Sequence, residues 1–154
     1  MPAAAKTGQF PDIFENEAIR GPARALRGSG RRVVWNRTVV PGTPQSVLPR
    51  LIGADGIVRD PSWLSRKPGD RYSMTLSTGD RLEGTVLAVI PGRGVQVTVD
   101  GWNDGLYRLW LDRVGGESAV NSWLSVYGMP ESFVKDFDAR MRREIDRVAA
   151  TVAA

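Results

Sequence analysis

The residues able to do chemistry in this chain are few. It has five tryptophans and neither histidine nor cysteine. Without those two types there is no Ser-His-Asp triad, no thiolate nucleophile, no disulfide and no Cys/His metal site. The usual proton carrier near neutral pH is missing as well. What remains is one polar cluster, Asn103, Asp104 and Arg108, and the indoles. Asp104 with Arg108 has the charges to hold the polar end of a ligand or to support acid–base chemistry. Asn103-Asp104-Gly105 is equally a complete type I′ turn signal. An indole joins a large apolar body to one N–H donor, which suits a packed core and a ligand pocket alike. Trp35, Tyr72, Met74, Trp102, Trp110 and Trp123 are therefore candidate pocket residues as well as candidate core. Arg81 and Glu83 read as a surface pair. Gly92-Arg93-Gly94 reads as a turn, since no helix start follows it to make a phosphate site.

The element that must position these residues is a helix from Pro130 to Val152. Phe133, Phe137, Met141, Ile145, Val148 and Val152 recur at steps of three and four, which lines them along one side of an α-helix. Phe133 and Phe137 join the pocket candidates on that stripe. Lys135, Asp138, Arg142, Arg143 and Asp146 take the opposite face. A one-faced helix of this length needs an apolar surface to lie on. Arg71 to Tyr127 supplies it: apolar residues alternate with polar ones, and turn residues interrupt at Ser77–Asp80, Pro91–Gly94, Asn103–Gly105 and Gly115–Gly116. That is an antiparallel meander of five strands. A further strand is expected at Arg32–Val40. A short helix capped by Thr43 and started by Pro44 follows it, interrupted near Pro49. One turn is expected at Pro61–Leu64, with Trp63 as its anchor.

The chain has 154 residues, 42% of them hydrophobic and 25% charged, which fits one soluble domain. Two segments are expected: an N-terminal arm at residues 1–30, flexible or laid across the domain surface, and a folded domain at 31–154. Met1–Gln9 lacks an apolar signal core and no apolar run is long enough to span a membrane, so a cytoplasmic protein is expected. The net charge is +4, but residues 1–32 hold six basic and three acidic residues, so +3 of it lies in that first stretch of the chain. Arginines this dispersed, with no reading element beside them, do not predict a nucleic-acid partner. Residues 9–27 are instead a candidate peptide for a protein partner. The oligomeric state is left open.

Four stretches carry a family resemblance across residues 32–150. They are "VVWNRTVVPGTPQ" at Val33–Gln45, "PGDRY" at Pro68–Tyr72, "GDRLEG" at Gly79–Gly84 and "WLSVYGM" at Trp123–Met129. Together with the order of elements, they resemble the START-like superfamily, also called SRPBCC or Bet v 1-like. The branch most resembled is the Hsp90-ATPase-activator-homologue-like and polyketide-cyclase-like one. The resemblance implies an α+β helix-grip fold: about six antiparallel strands in a curved sheet wrapped on the long C-terminal helix, with one or two short helices after the first strand. It further implies a cavity between sheet and helix that takes an apolar or amphipathic small molecule, lipid-like or aromatic, without cofactor or metal. Two other readings stand beside that one. One is a chaperone-associated or regulatory interaction module with no small-molecule ligand. The other is a cyclase-type enzyme using Asp104, Tyr107 or Arg108; an enzyme is the less expected outcome in a chain without histidine.

Overall fold

The structure, a computed structural model, describes residues 30–153. The arm expected before residue 30 lies outside the described residues. The elements run β1 (Arg31–Val40), α1 (Pro44–Leu51), a 3-10 turn (Pro61–Ser65), β2 (Arg71–Thr75), β3 (Arg81–Ile90), β4 (Gly94–Val99), β5 (Gly105–Val114), β6 (Glu117–Tyr127) and α2 (Glu131–Ala153). All strand pairs are antiparallel, in the order β1-β6-β5-β4-β3-β2. The fold is thus the expected α+β architecture: a six-stranded antiparallel sheet, β2 to β6 a meander and β1 beside β6, with a short helix after the first strand and a long C-terminal helix.

Each element has a local cause. Glycines, often at positive φ, punctuate the hairpins; Gly79, Gly92 and Gly115 sit in three of the turns. The β4–β5 connection differs from a two-residue hairpin. Asn103 and Asp104 both take positive φ, as a type I′ turn requires, but the strands close at Val99–Gly105. The loop therefore runs from Asp100 to Asp104 and carries Trp102 at its centre. In β3 the register slips between Val86 and Ala88, a bulge that bends a strand and increases its twist. Thr43 precedes α1 as the sequence predicts, yet its side chain makes no capping bond; its carbonyl accepts from the Ser46 and Val47 amides instead.

α2 lies on one face of the sheet and is held from both flanks. Asp138 accepts a 2.8 Å bond from Asn36 on β1, and Arg140 donates to Asp80 in the β2–β3 turn at 3.2 Å. Nearer its end, Arg147 reaches the Asp55 carbonyl, and Arg50 of α1 reaches the Thr151 carbonyl. The buried stripe of α2 is Val134, Phe137, Met141, Ile145 and Val148. Val134 was not in the predicted stripe, while Phe133 is half-buried and packs at the rim. One continuous core forms between α2, α1, the 3-10 turn and the inward residues of the sheet.

Candidate functional site

Between sheet and α2, aromatic residues contact one another in series. Trp102, at the tip of the β4–β5 loop, stands edge-on to Phe133 with ring centroids 5.0 Å apart, and to Phe137 at 5.7 Å. Phe137 in turn stands edge-on to Tyr107 of β5, also at 5.7 Å. Such T-shaped contacts set the positive edge of one ring against the negative face of the next. The series runs inward. Trp102 and Phe133 are half-buried, with Met129 beside them, whereas Phe137 and Tyr107 are buried.

The series ends on polar atoms. The Tyr107 hydroxyl lies 3.2 Å from the Ser122 hydroxyl and 3.8 Å from the Met141 sulfur. Burial pushes the Tyr107 phenol well above its ordinary range, and the Ser122 bond offsets only part of that. The group is therefore a neutral hydroxyl, able to donate and accept. Asn36 is paired with Ser122 across the β1–β6 ladder, so it occupies the same face. Its amide nitrogen is used by Asp138, but its buried Oδ1 has no partner. The inner end of the aromatic series thus carries hydroxyls and a free carbonyl oxygen, in an otherwise apolar setting.

Tyr72 and Met74 also face inward, from edge strand β2. Tyr72 packs edge-on to Trp63, centroids 5.3 Å apart. Its hydroxyl donates to the Thr98 carbonyl, reaching from β2 over β3 to β4. Gly84, its partner on β3, makes that reach possible: a Cβ there would collide with the Thr98 carbonyl. Burial raises the Tyr72 phenol well above its usual value too.

No family profile matches the sequence, and no curated protein does. Solved structures do. DynU16, from the dynemicin biosynthetic locus, matches with a TM-score of 0.65 at 17% identity, over 79% of this chain and 47% of its own. The chain spans about half of DynU16. The Aha1 dimer from Colwellia psychrerythraea matches at 0.56 and 14% identity, over 77% of this chain and 93% of the other. CalU16 from Micromonospora echinospora matches at 0.55 and 15%, over 80% of each. This is a helix-grip fold.

Within the helix-grip fold, the predicted pocket residues divide between the two faces of the sheet. Trp102, Tyr72, Met74, Phe133 and Phe137 lie on the α2 side. Trp35, Trp110 and Trp123 do not, which corrects the expectation that they line the interior. Trp35 is paired with Trp123, Trp123 with Arg108, and Trp110 with Asn121. Their neighbours in sequence, Asn36, Leu109, Leu111 and Leu124, are the inward residues. Strand alternation then sends the three indoles outward; Trp35 is 57% exposed. There the Arg108 guanidinium stacks between two of them, 4.8 Å from the Trp110 ring and 5.3 Å from the Trp123 ring. Arg108 shares the parity of Trp110, and Asp104 precedes the strand. Asp104 is exposed in the loop while Arg108 lies on the outer face, so the two do not join the interior site. Arg81 and Glu83 form the expected exposed pair, at 3.4 Å. Among the described residues no cluster of acidic side chains is arranged to hold a metal, and no helix is long and apolar enough to cross a membrane.

Sequence reasoning named Tyr107 only as a catalytic alternative and missed Ser122 and Asn36 altogether. The signal for Tyr107 was its parity with Leu109 and Leu111. Ser122 and Asn36 are polar residues at inward positions, and alternation by hydrophobicity passes over them.

Proposed function

We propose that this helix-grip domain binds an apolar or amphipathic small molecule between sheet and α2. In this reading the ligand enters past Trp102, Met129 and Phe133. Its polar end meets the Tyr107 and Ser122 hydroxyls and the free Asn36 carbonyl oxygen. The observation that carries the reading is the graded series Trp102–Phe133–Phe137–Tyr107, half-open at one end and ending on buried, neutral hydrogen-bonding groups. Apolar walls with a few convergent polar atoms are the ordinary make-up of a small-molecule site. DynU16 comes from a biosynthetic locus, which agrees with a ligand of small-molecule kind. The preferred ligand is rigid and aromatic or sterol-like, with one hydroxyl or carbonyl oxygen. Among the described residues, the inner end offers hydrogen bonds to a neutral group and no cation to hold a carboxylate.

A panel of fatty acids, sterols and aromatic polyketides, read by tryptophan fluorescence and thermal shift, tests this. A ligand at 100 times its Kd adds about 2.7 kcal/mol of stability, or roughly 5–10 °C in a domain of this size. It should also change the Trp102 emission, and Trp102→Phe should remove that optical response. A panel that leaves both Tm and emission unchanged would overturn the reading.

A further inference from the structure

The polar end of the inner series has a direction, and a helix residue sets it. Asn36 is buried, and its side-chain nitrogen donates to Asp138 Oδ1 at 2.8 Å. The second oxygen of Asp138 accepts from Arg142 Nε at 2.7 Å. An amide has a donor end and an acceptor end, and a half-turn of the side chain exchanges them. A carboxylate only accepts, so Asp138 takes the nitrogen end and turns Oδ1 away from itself. Arg142 holds the carboxylate in that role. The result is a buried Asn36 Oδ1 with no partner among the described residues.

A spare donor stands beside this spare acceptor. Ser122 is directly opposite Asn36 on the β1–β6 ladder, and its hydroxyl lies 3.2 Å from that of Tyr107. Both side chains are buried. Two hydroxyls carry two protons, and their mutual bond uses one. What the other can meet is the Met141 sulfur, 3.8 Å from the Tyr107 oxygen and a weak acceptor. Facing residues on one side of a sheet have Cβ atoms roughly 4.5–5.5 Å apart, so one ligand oxygen at ~2.8 Å from each can join the two sides.

We propose that this end selects a ligand hydroxyl over a carbonyl or ether oxygen, with Asp138 as the positioning residue. The inference rests on the ligand-binding reading above and narrows its ligand class to rigid phenols and alcohols. A hydroxyl accepts the spare proton of the Tyr107–Ser122 pair and donates its own to Asn36 Oδ1. A ketone or ether can accept that proton but sets its lone pairs against Oδ1, and two buried acceptors then face each other. Leaving that bond unmade should cost roughly tenfold or more in affinity. Asp138→Asn removes the direction, because a neighbouring amide can donate as well as accept. Asn36 can then present its nitrogen to the ligand.

The test titrates the full chain by calorimetry with fluorenol, fluorenone and fluorene, one rigid skeleton bearing a hydroxyl, a carbonyl or neither. Fluorenol should bind about tenfold or more tightly than fluorenone. Asp138→Asn should bring the two affinities together, chiefly by tightening fluorenone, and leave fluorene unchanged. Asn36→Leu removes the acceptor itself and should bring them together by weakening fluorenol; thermal unfolding checks that both variants fold. Equal affinities for fluorenol and fluorenone in the native chain would overturn the selectivity and leave the ligand site standing. A ratio untouched by Asp138→Asn, or a parallel loss of all three ligands in that variant, would overturn the positioning role. Binding of none of the three to the native chain would overturn the ligand site, and this inference with it.

Discussion

The two faces of the sheet are built from the same residue types and do opposite things with them. On the inner face, Trp102, Phe137 and Tyr107 stack edge-on into a core closed by α2. On the outer face, Trp123 and Trp110 meet a cation, with Arg108 lying between the two rings and Trp35 across from Trp123. The inner series is held by burial and ring geometry, and its polar atoms are hydroxyls and amides. The outer cluster is built from long amphipathic side chains, each with a large body on the sheet and a polar tip. A ring is therefore not informative about ligand binding until its face is known. The comparison gives a stability contrast and a pH contrast, both open to measurement.

The largest expected effect is Phe137→Ala. Phe137 is buried and touches both Trp102 and Tyr107. Truncation should cost about 3–5 kcal/mol, the range for a buried phenylalanine. Denaturant unfolding checks it, and a cost below ~1 kcal/mol would mean the inner aromatic series is not part of the core. Next is Tyr107→Phe, expected to cost about 1–2 kcal/mol, because it strands the Ser122 hydroxyl in a buried position. It should also weaken any hydroxyl- or carbonyl-bearing ligand more than a pure hydrocarbon.

Tyr107 and Tyr72 also set the alkaline limit. Both phenols have folded-state pKa values raised by burial. Their contribution is fully present below the unfolded value near 10, and is lost as pH rises from there towards the folded value. Stability should fall above about pH 10, and Tyr107→Phe should lessen the slope of that fall. The acid side works through Glu144 and is smaller. Burial pushes its carboxyl up, but the Ser77 hydroxyl and the Arg147 guanidinium outweigh that and leave it lowered. Its contribution is present above the unfolded value near 4.3 and lost as pH falls through the folded value. Glu144→Gln should flatten the decline below pH ~4. Between these limits the absence of histidine predicts a flat stability profile from about pH 6 to 9.

Most of the fold was legible because two periodicities are written plainly. Steps of three and four marked α2, and alternation with Gly-rich turns marked the meander. The order of elements then pointed to the helix-grip fold. The site was legible only in part. In β1 both faces carry valines, Val33 and Val39 outside against Val34 and Val40 inside. Alternation there shows a strand without showing which side is in. The deciding partner is Asp138, which lies 102 positions away in sequence and meets Asn36. A polar residue is inside because a helix residue bonds to it, and a tryptophan is outside for the same reason. No local pattern contains that fact. Trp102 lies on the α2 side from a loop, where parity does not apply and the turn itself aims the ring.

The smallest effect sharpens the contrast most. Trp35 stands on edge strand β1, more than half exposed, and its indole N–H donates to Asn121 Oδ1 at 3.2 Å. Replacing it with serine removes a ring that is mostly in water and one part-buried hydrogen bond. The expected cost is about 0.5–1 kcal/mol, the net worth of one hydrogen bond. Trp110→Ser, on the same face but nearly buried, should cost several-fold more. Urea midpoints of the two variants decide the point. If Trp35→Ser costs as much as Trp110→Ser, the outer cluster is one packed unit extending to the sheet edge. If it costs little, the cluster has a firm centre at Trp110 and Trp123 and a solvated margin at Trp35. The latter arrangement leaves β1 with an exposed indole and valines beside Arg31, Arg32 and Arg37, charged groups of the kind that discourage edge pairing with another sheet.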